Sequence, residues 1–180
     1  VASEFKREAP ASSEFNSGNF LTLGVTPQYL QLRNLPAALG RNISAEDEAG
    51  SRRVCVLGHT VRKHLFEKRQ DVLGRIIRIN GYPYSVIGLM DEKNQNSSYD
   101  GWDNEKVLIP ESSFLRDCPP SNPGWKQGRV NGIIYRPASV KEWKMAQRQV
   151  RTVLGRIHEF DPADEAATPL YDSVEGAELF

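Results

Sequence analysis

Apolar and polar residues are arranged most regularly in "RIIRINGYPYSVIGLM", residues 75 to 90. Two runs rich in Ile, Val and Tyr flank Asn80-Gly81, a pair suited to the positive φ angles of a two-residue type I′ turn. That turn pairs Ile79 with Tyr82, Arg78 with Pro83 and Ile77 with Tyr84. Ile77, Ile79, Tyr82 and Tyr84 then share one face, and Ile76, Arg78, Pro83 and Ser85 the other. Pro83 falls at a non-hydrogen-bonded pair, so its missing N–H costs nothing there, and no further strand is expected to join at Pro83 on its outer side. Gly88 marks a bulge or bend.

The same reading extends along the chain. Residues 1 to 19 are polar and read as a loose arm or a ragged first strand. "FLTLGV" (20 to 25) is a strand, and "TPQYLQLRN" (26 to 34) a short helix with Thr26 as cap and Pro27 in its first position. Residues 35 to 52 read as a loop. "RVCVLG" (53 to 58) is a buried strand, "HTVRKHLFEK" (59 to 68) a helix with Val61 and Leu65 inward, and "KVLIP" (106 to 110) a strand stopped by Pro110. "ESSFLRD" makes one or two helical turns, the Pro- and Gly-rich "PPSNPGWKQG" a loop, and "RVNGIIYRP" (129 to 137) a strand. Residues 139 to 160 form the longest helix, capped by Ser139. There Val140, Trp143, Ala146, Val150, Val153, Leu154, Ile157 and Phe160 recur every three or four positions, and Lys141, Lys144, Arg148, Arg151 and Arg156 make a basic face. The tail, 161 to 180, is acidic and is expected to dock through Leu170, Tyr171 and Val174. Short strands alternating with helices, plus the hairpin, predict an α+β or mixed α/β fold with two small lobes in a single 1–180 domain.

Composition narrows the role. The 180 residues carry 23 Lys plus Arg against 23 Asp plus Glu, so the balance gives no reason to expect nucleic acid as a partner. No run approaches the ~20 apolar residues of a membrane span, and no signal peptide opens the chain. A start at Val1 reads as a piece of a longer protein or a processed chain. The two cysteines, Cys55 in a strand and Cys118 in a loop, leave a disulfide and two free thiols both open.

Candidate chemistry is sparse. There is no Walker A loop, GxGxxG or GxSxG. His59, His64 and His158 lack metal-site spacing and read as helix-surface residues. "YDGWDNE", 99 to 105, is the one cluster that could receive a ligand or partner. Its Asp100 and Asp103 crowd beside Tyr99 and Trp102, a density of oxygens and aromatics that suits a cation or a peptide, without EF-hand spacing. The other reading is a solvated loop with Trp102 tucked onto the domain. No catalytic, metal-binding or cofactor residue is indicated.

An ordered series of short motifs resembles the MacB-type periplasmic core domain of FtsX-like ABC transporter permeases. It comprises Gly24-Val25, Pro27, Tyr29, Gly40-Arg41, Asp47, Val54-Cys55-Val56-Leu57-Gly58, Leu65-Phe66, Gly74, Ile77, Ile79, Gly81, Tyr84, Val86-Ile87-Gly88 and Ile109-Pro110. The spacing holds over roughly residues 20 to 110 and loosens from 111 to 160; the first 19 residues and the 91 to 105 loop depart from the pattern. The resemblance implies a non-catalytic domain on the periplasmic or extracellular side of a permease in the inner membrane. It further implies a second permease subunit, an ATPase domain or subunit in the cytoplasm, and for some members a periplasmic adaptor and an outer-membrane channel. The implied role is to carry ATP-driven conformational change outward, in efflux or lipoprotein export. A free periplasmic module that binds a peptide or sugar is the alternative, and an enzyme of unrecognised type the third.

Overall fold

The computed structural model describes residues 1–69, 71–95, 98, 100–119 and 129–171, which fall into two compact units, Val1–Tyr135 and Arg136–Phe180. In the first unit, β1 (Ala2–Ser12) and β2 (Ser17–Val25) form a long antiparallel pair. Next come α1 (Pro27–Leu32), β3 (Ala37–Gly40), α2 (Ala45–Ala49), β4 (Val54–Leu57) and α3 (His59–Phe66). The hairpin strands β5 (Ile76–Ile79) and β6 (Tyr82–Met90) lead to β7 (Lys106–Pro110), α4 (Glu111–Asp117) and β8 (Gly132–Ile134). The second unit holds a 3-10 turn, Val140–Glu142, and α5 (Trp143–His158).

Neighbouring strands run β2-β7-β4-β6-β5-β1, and β1 pairs again with β2, so these six close into a mixed barrel. β2–β7 and β4–β6 are parallel, and the remaining pairs in the ring are antiparallel. β3 adds to β6 outside the ring, and β8 to the start of β1. Closure leaves no open edge among the six.

β4 and β7 are buried on both faces, which accounts for their unbroken apolar runs. One face of each joins the larger core: Cys55 and Leu57, Val107 and Ile109, with Phe5, Ala9 and Ala11 of β1, Ile77 and Ile79 of β5, and Tyr84 and Val86 of β6. Val61, Leu65 and Phe66 of α3 and Phe114 of α4 pack into the same cluster. The opposite faces, Val56 and Leu108, meet Leu23, Val25, Tyr29 and Leu30 in a second core covered by α1.

The hairpin takes the expected register, Ile79 to Tyr82, Arg78 to Pro83 and Ile77 to Tyr84, with positive φ at Asn80 and Gly81. Tyr82 shares the inward face yet remains 41% exposed at its end. β4 joins β6 only from Ser85 onward, leaving Pro83 without an outer partner. The register shifts where Cys55 faces Val86 and Val56 faces Gly88, so β6 carries a bulge there.

Other expectations need correction. Of the two readings of the first residues, the strand holds and the loose arm does not: eleven of them form β1. The inward residues Ala9 and Ala11 are too small to stand out in a hydropathy pattern, yet pairing to β2, β5 and β8 holds the strand firmly. The stretch 35 to 52 contains β3 and α2. Ser44 and Asp47 form a reciprocal capping box there, a signature readable in "SAED". The strand expected over 129 to 137 shrinks to Gly132–Ile134. The 139 to 160 helix begins at Trp143 and stops at His158, where Glu159 turns left-handed. Its apolar stripe is not sealed, since Val153 and Ile157 are exposed. In the tail Tyr171 is exposed, and Val174 lies outside the described residues, as does most of the "PPSNPGWKQG" loop.

Candidate functional site

Between β6 and β7 the loop 91 to 105 is organised by a buried lysine. Lys106 opens β7 on the face shared with Leu108, and its side chain is fully buried. An unpaired ammonium there would be very costly, so the loop supplies counter-charge. Lys106 Nζ donates to Asp100 Oδ1 at 2.8 Å and to Asp103 Oδ1 at 3.0 Å. Arg33, just past α1, lies 3.4 Å from Asp103, and Lys93 Nζ also reaches Asp103 at 3.4 Å. Burial alone would raise the Asp103 pKa, but the Lys106 hydrogen bond and the surrounding cations outweigh it and hold the carboxyl below its usual value.

Backbone mimicry fastens the rest of the loop. Asn104 Nδ2 donates to Lys93 O at 2.8 Å, Lys93 N to Asn104 Oδ1 at 2.9 Å, and Asp103 N to Gln95 Oε1 at 2.7 Å. Gly58, which closes the β4 motif, lets the loop approach: a Cβ there would sit 2.4 Å from Asn104 O. Of the four residues singled out in the sequence, Asp100 and Asp103 therefore turn inward as structural counter-ions. Trp102 points outward, 43% exposed, and Tyr99 lies outside the described residues. Trp102 borders a shallow groove with Thr60, Lys93, Asn94, Gln95, Asn104 and Glu105. Among the described residues no group of three or more His, Cys, Asp or Glu is placed to hold a metal ion. Sequence reasoning missed Lys106 and Arg33; a lysine heading a buried apolar run just after two aspartates was the available signal.

A second ionic cluster ties the hairpin to α4. Arg53 reaches Asp117 with Nε at 2.8 Å and NH2 at 3.0 Å; Arg116 does so with Nε at 2.8 Å and NH2 at 2.9 Å. Tyr84 OH donates to the same carboxylate at 2.9 Å. Burial opposes ionisation of Asp117, yet these donors hold its pKa far below the usual range, while burial and the Asp117 bond push Tyr84 up. At the turn, Asn80 Nδ2 donates to Asp117 O at 2.7 Å and Asn80 N to Pro10 O at 2.8 Å. Cys55 and Cys118 are both free and buried, and burial raises the Cys118 thiol to about 11, which leaves it unreactive at neutral pH. His64 is exposed and His59 half-buried, 3.6 Å from Glu92.

Both clusters hold structural elements together, and comparison with known proteins gives the chain's family. The chain is 31% identical over 125 residues to the pyoverdine export ATP-binding/permease protein PvdT of Pseudomonas syringae pv. tomato, covering 69% of this chain and 18% of that protein. It is 29% identical over 165 residues to the macrolide export ATP-binding/permease protein MacB of Rhodopirellula baltica, covering 79% and 24%. The chain thus spans about a fifth of the length of these curated relatives. Its fold matches the extracellular domain of the noncanonic ABC-type transporter YknZ from Gram-positive bacteria (TM-score 0.71, 16% identity, 90% of this chain and 77% of that one). It also matches the periplasmic region of MacB from Actinobacillus actinomycetemcomitans (TM-score 0.65, 18% identity, 88% and 67%). Residues 2–153 match the family model of the MacB-like periplasmic core domain, and the chain belongs to that family.

Proposed function

We propose that this domain is the non-catalytic extracytoplasmic part of an ABC export permease, relaying ATP-driven conformational change outward and docking a periplasmic partner or substrate. The carrying observation is β1. It pairs with β8 at Ala2–Glu4, with β2 along its length, and with β5 at Ala11 and Ser12, where Pro10 O also receives the hairpin turn. A displacement at its start is therefore delivered to the hairpin and, through Asn80 and Asp117, to α4. No step needs a reactive group. What relay does need is stiffness, which a closed ring and a dense core supply, and two permease states that bind the domain's partners differently.

The curated relatives are export ATP-binding/permease proteins by name, which supports an inner-membrane parent with an ATPase domain or subunit in the cytoplasm and a second permease subunit. A periplasmic adaptor and an outer-membrane channel complete the reading. No helix of the described residues is long and apolar enough to cross a membrane. The loop that carries Trp102 is the proposed contact surface.

The test uses the full-length permease in cells and in membrane vesicles, with Asn80→Ala combined with Asp117→Asn to loosen the hairpin from α4. Export should fall while ATP hydrolysis persists. Undiminished export, in a variant shown by hydrogen exchange to have a loosened hairpin, would refute the relay.

A further inference from the structure

We propose that the groove beside Trp102 is a subsite for a neutral saccharide unit. The indole, 43% exposed, lines the groove together with the uncharged polar side chains of Thr60, Asn94, Gln95 and Asn104 and the charged Lys93 and Glu105. Among the described residues, no hydrogen bond engages the Trp102 N–H, the Thr60 hydroxyl or the Asn94 amide, so hydroxyl and amide partners are available to an incoming ligand. The groove's lysine is already committed: Lys93 Nζ donates to Asn34 O at 3.1 Å and to Asp103. That weakens the case for an anionic ligand. A sugar ring presents an apolar C–H face that stacks on an indole and a rim of hydroxyls that both donate and accept, which is the complement of this lining.

The backbone that carries the indole is also held in place. Trp102 immediately precedes the 3-10 turn Asp103–Glu105, whose first residue is fixed by Lys106, Arg33 and Gln95. Little backbone ordering of the loop at Trp102 therefore remains to be lost on binding. This inference rests on the ligand-contacting part of the function proposed above and not on the relay, which the export assay tests separately.

The test titrates the 180-residue chain with triacetylchitotriose and with maltotriose, followed by the indole N–H and side-chain amide signals in NMR spectra. Trp102→Phe assigns the Trp102 signal. Saturable shifts of Trp102 and Asn94 with either sugar, with a Kd of about 1–10 mM as befits a single stacked ring, support the subsite. Trp102→Ala should abolish the shift of the Asn94 amide and Asn94→Ala weaken several-fold the binding read at the Trp102 indole, both variants melting as the parent does. No saturable shift up to about 20 mM of either sugar, or the same shift in Trp102→Ala, overturns it. So does a short Pro-rich peptide that moves these signals where the sugars do not.

Discussion

Glu111 illustrates how one carboxyl can work against the fold. It begins α4, accepts a hydrogen bond from Ser3 Oγ, and lies beside Glu48, whose Oε1 takes the Ser112 amide at 2.9 Å. Burial, with Glu48 adding to it, raises the Glu111 pKa above 4.5. The folded state therefore holds this proton more tightly than the unfolded chain. Its contribution is fully present below the unfolded pKa and is lost as pH rises through the folded one. Glu111→Gln should remove that slope: the variant is expected to be more stable than the parent at neutral pH and to converge with it at low pH in urea melts. Parallel curves from pH 4 to 7 would contradict the assignment. Asp47 runs the other way. Burial would raise it, but Arg41 and the Ser44 amide bring it down to about 2, so its stabilisation is lost only in acid, as pH falls from about 4 toward 2. Neither direction could be read from residue type, because it is the balance of burial, donors and neighbouring charge around each carboxyl that sets it.

At the scale of elements, legibility followed the strength of the local signal. The β5–β6 hairpin, β7 and the start of α1 were readable to the residue, because Asn-Gly, Thr-Pro and the apolar run ended by Pro110 act within a few bonds. β1 was legible only as one of two readings and β3 not at all, since their strand state comes from partners distant in sequence. The candidate loop was found as a segment, but the roles within it were not, because Asp100 and Asp103 take theirs from Lys106 and Arg33. Gly58 links element to site: its missing side chain lets the Asn104 carbonyl pass. Gly58→Ala should therefore displace the loop, cost about 1–3 kcal/mol, and shift Trp102 fluorescence. An unshifted spectrum and an unchanged melt would show that the loop yields more freely than its contacts indicate.

For the whole molecule, ring closure has a consequence of its own. β1 bonds to β2 on one side and to β5 and β8 on the other, so opening either seam exposes the large core. The amides of β1 are expected to exchange with solvent as slowly as those of β4 and β7, in one cooperative unit. Early exchange at Ala9 and Ala11 would show that the ring opens at β1, which the relay could not survive. α5 belongs to the second unit and should exchange earlier, its only buried residue being Gly155. The sequence by itself determined the order of most elements, the register of the hairpin and the family, because turn residues, caps and apolar periodicity act locally. Tertiary structure alone decided that the polar opening stretch is a strand and not a loose arm, that six strands close on themselves, and that two of the candidate loop's acids face inward. Those outcomes depend on partners far along the chain, whose charge and hydrogen bonds no short window contains.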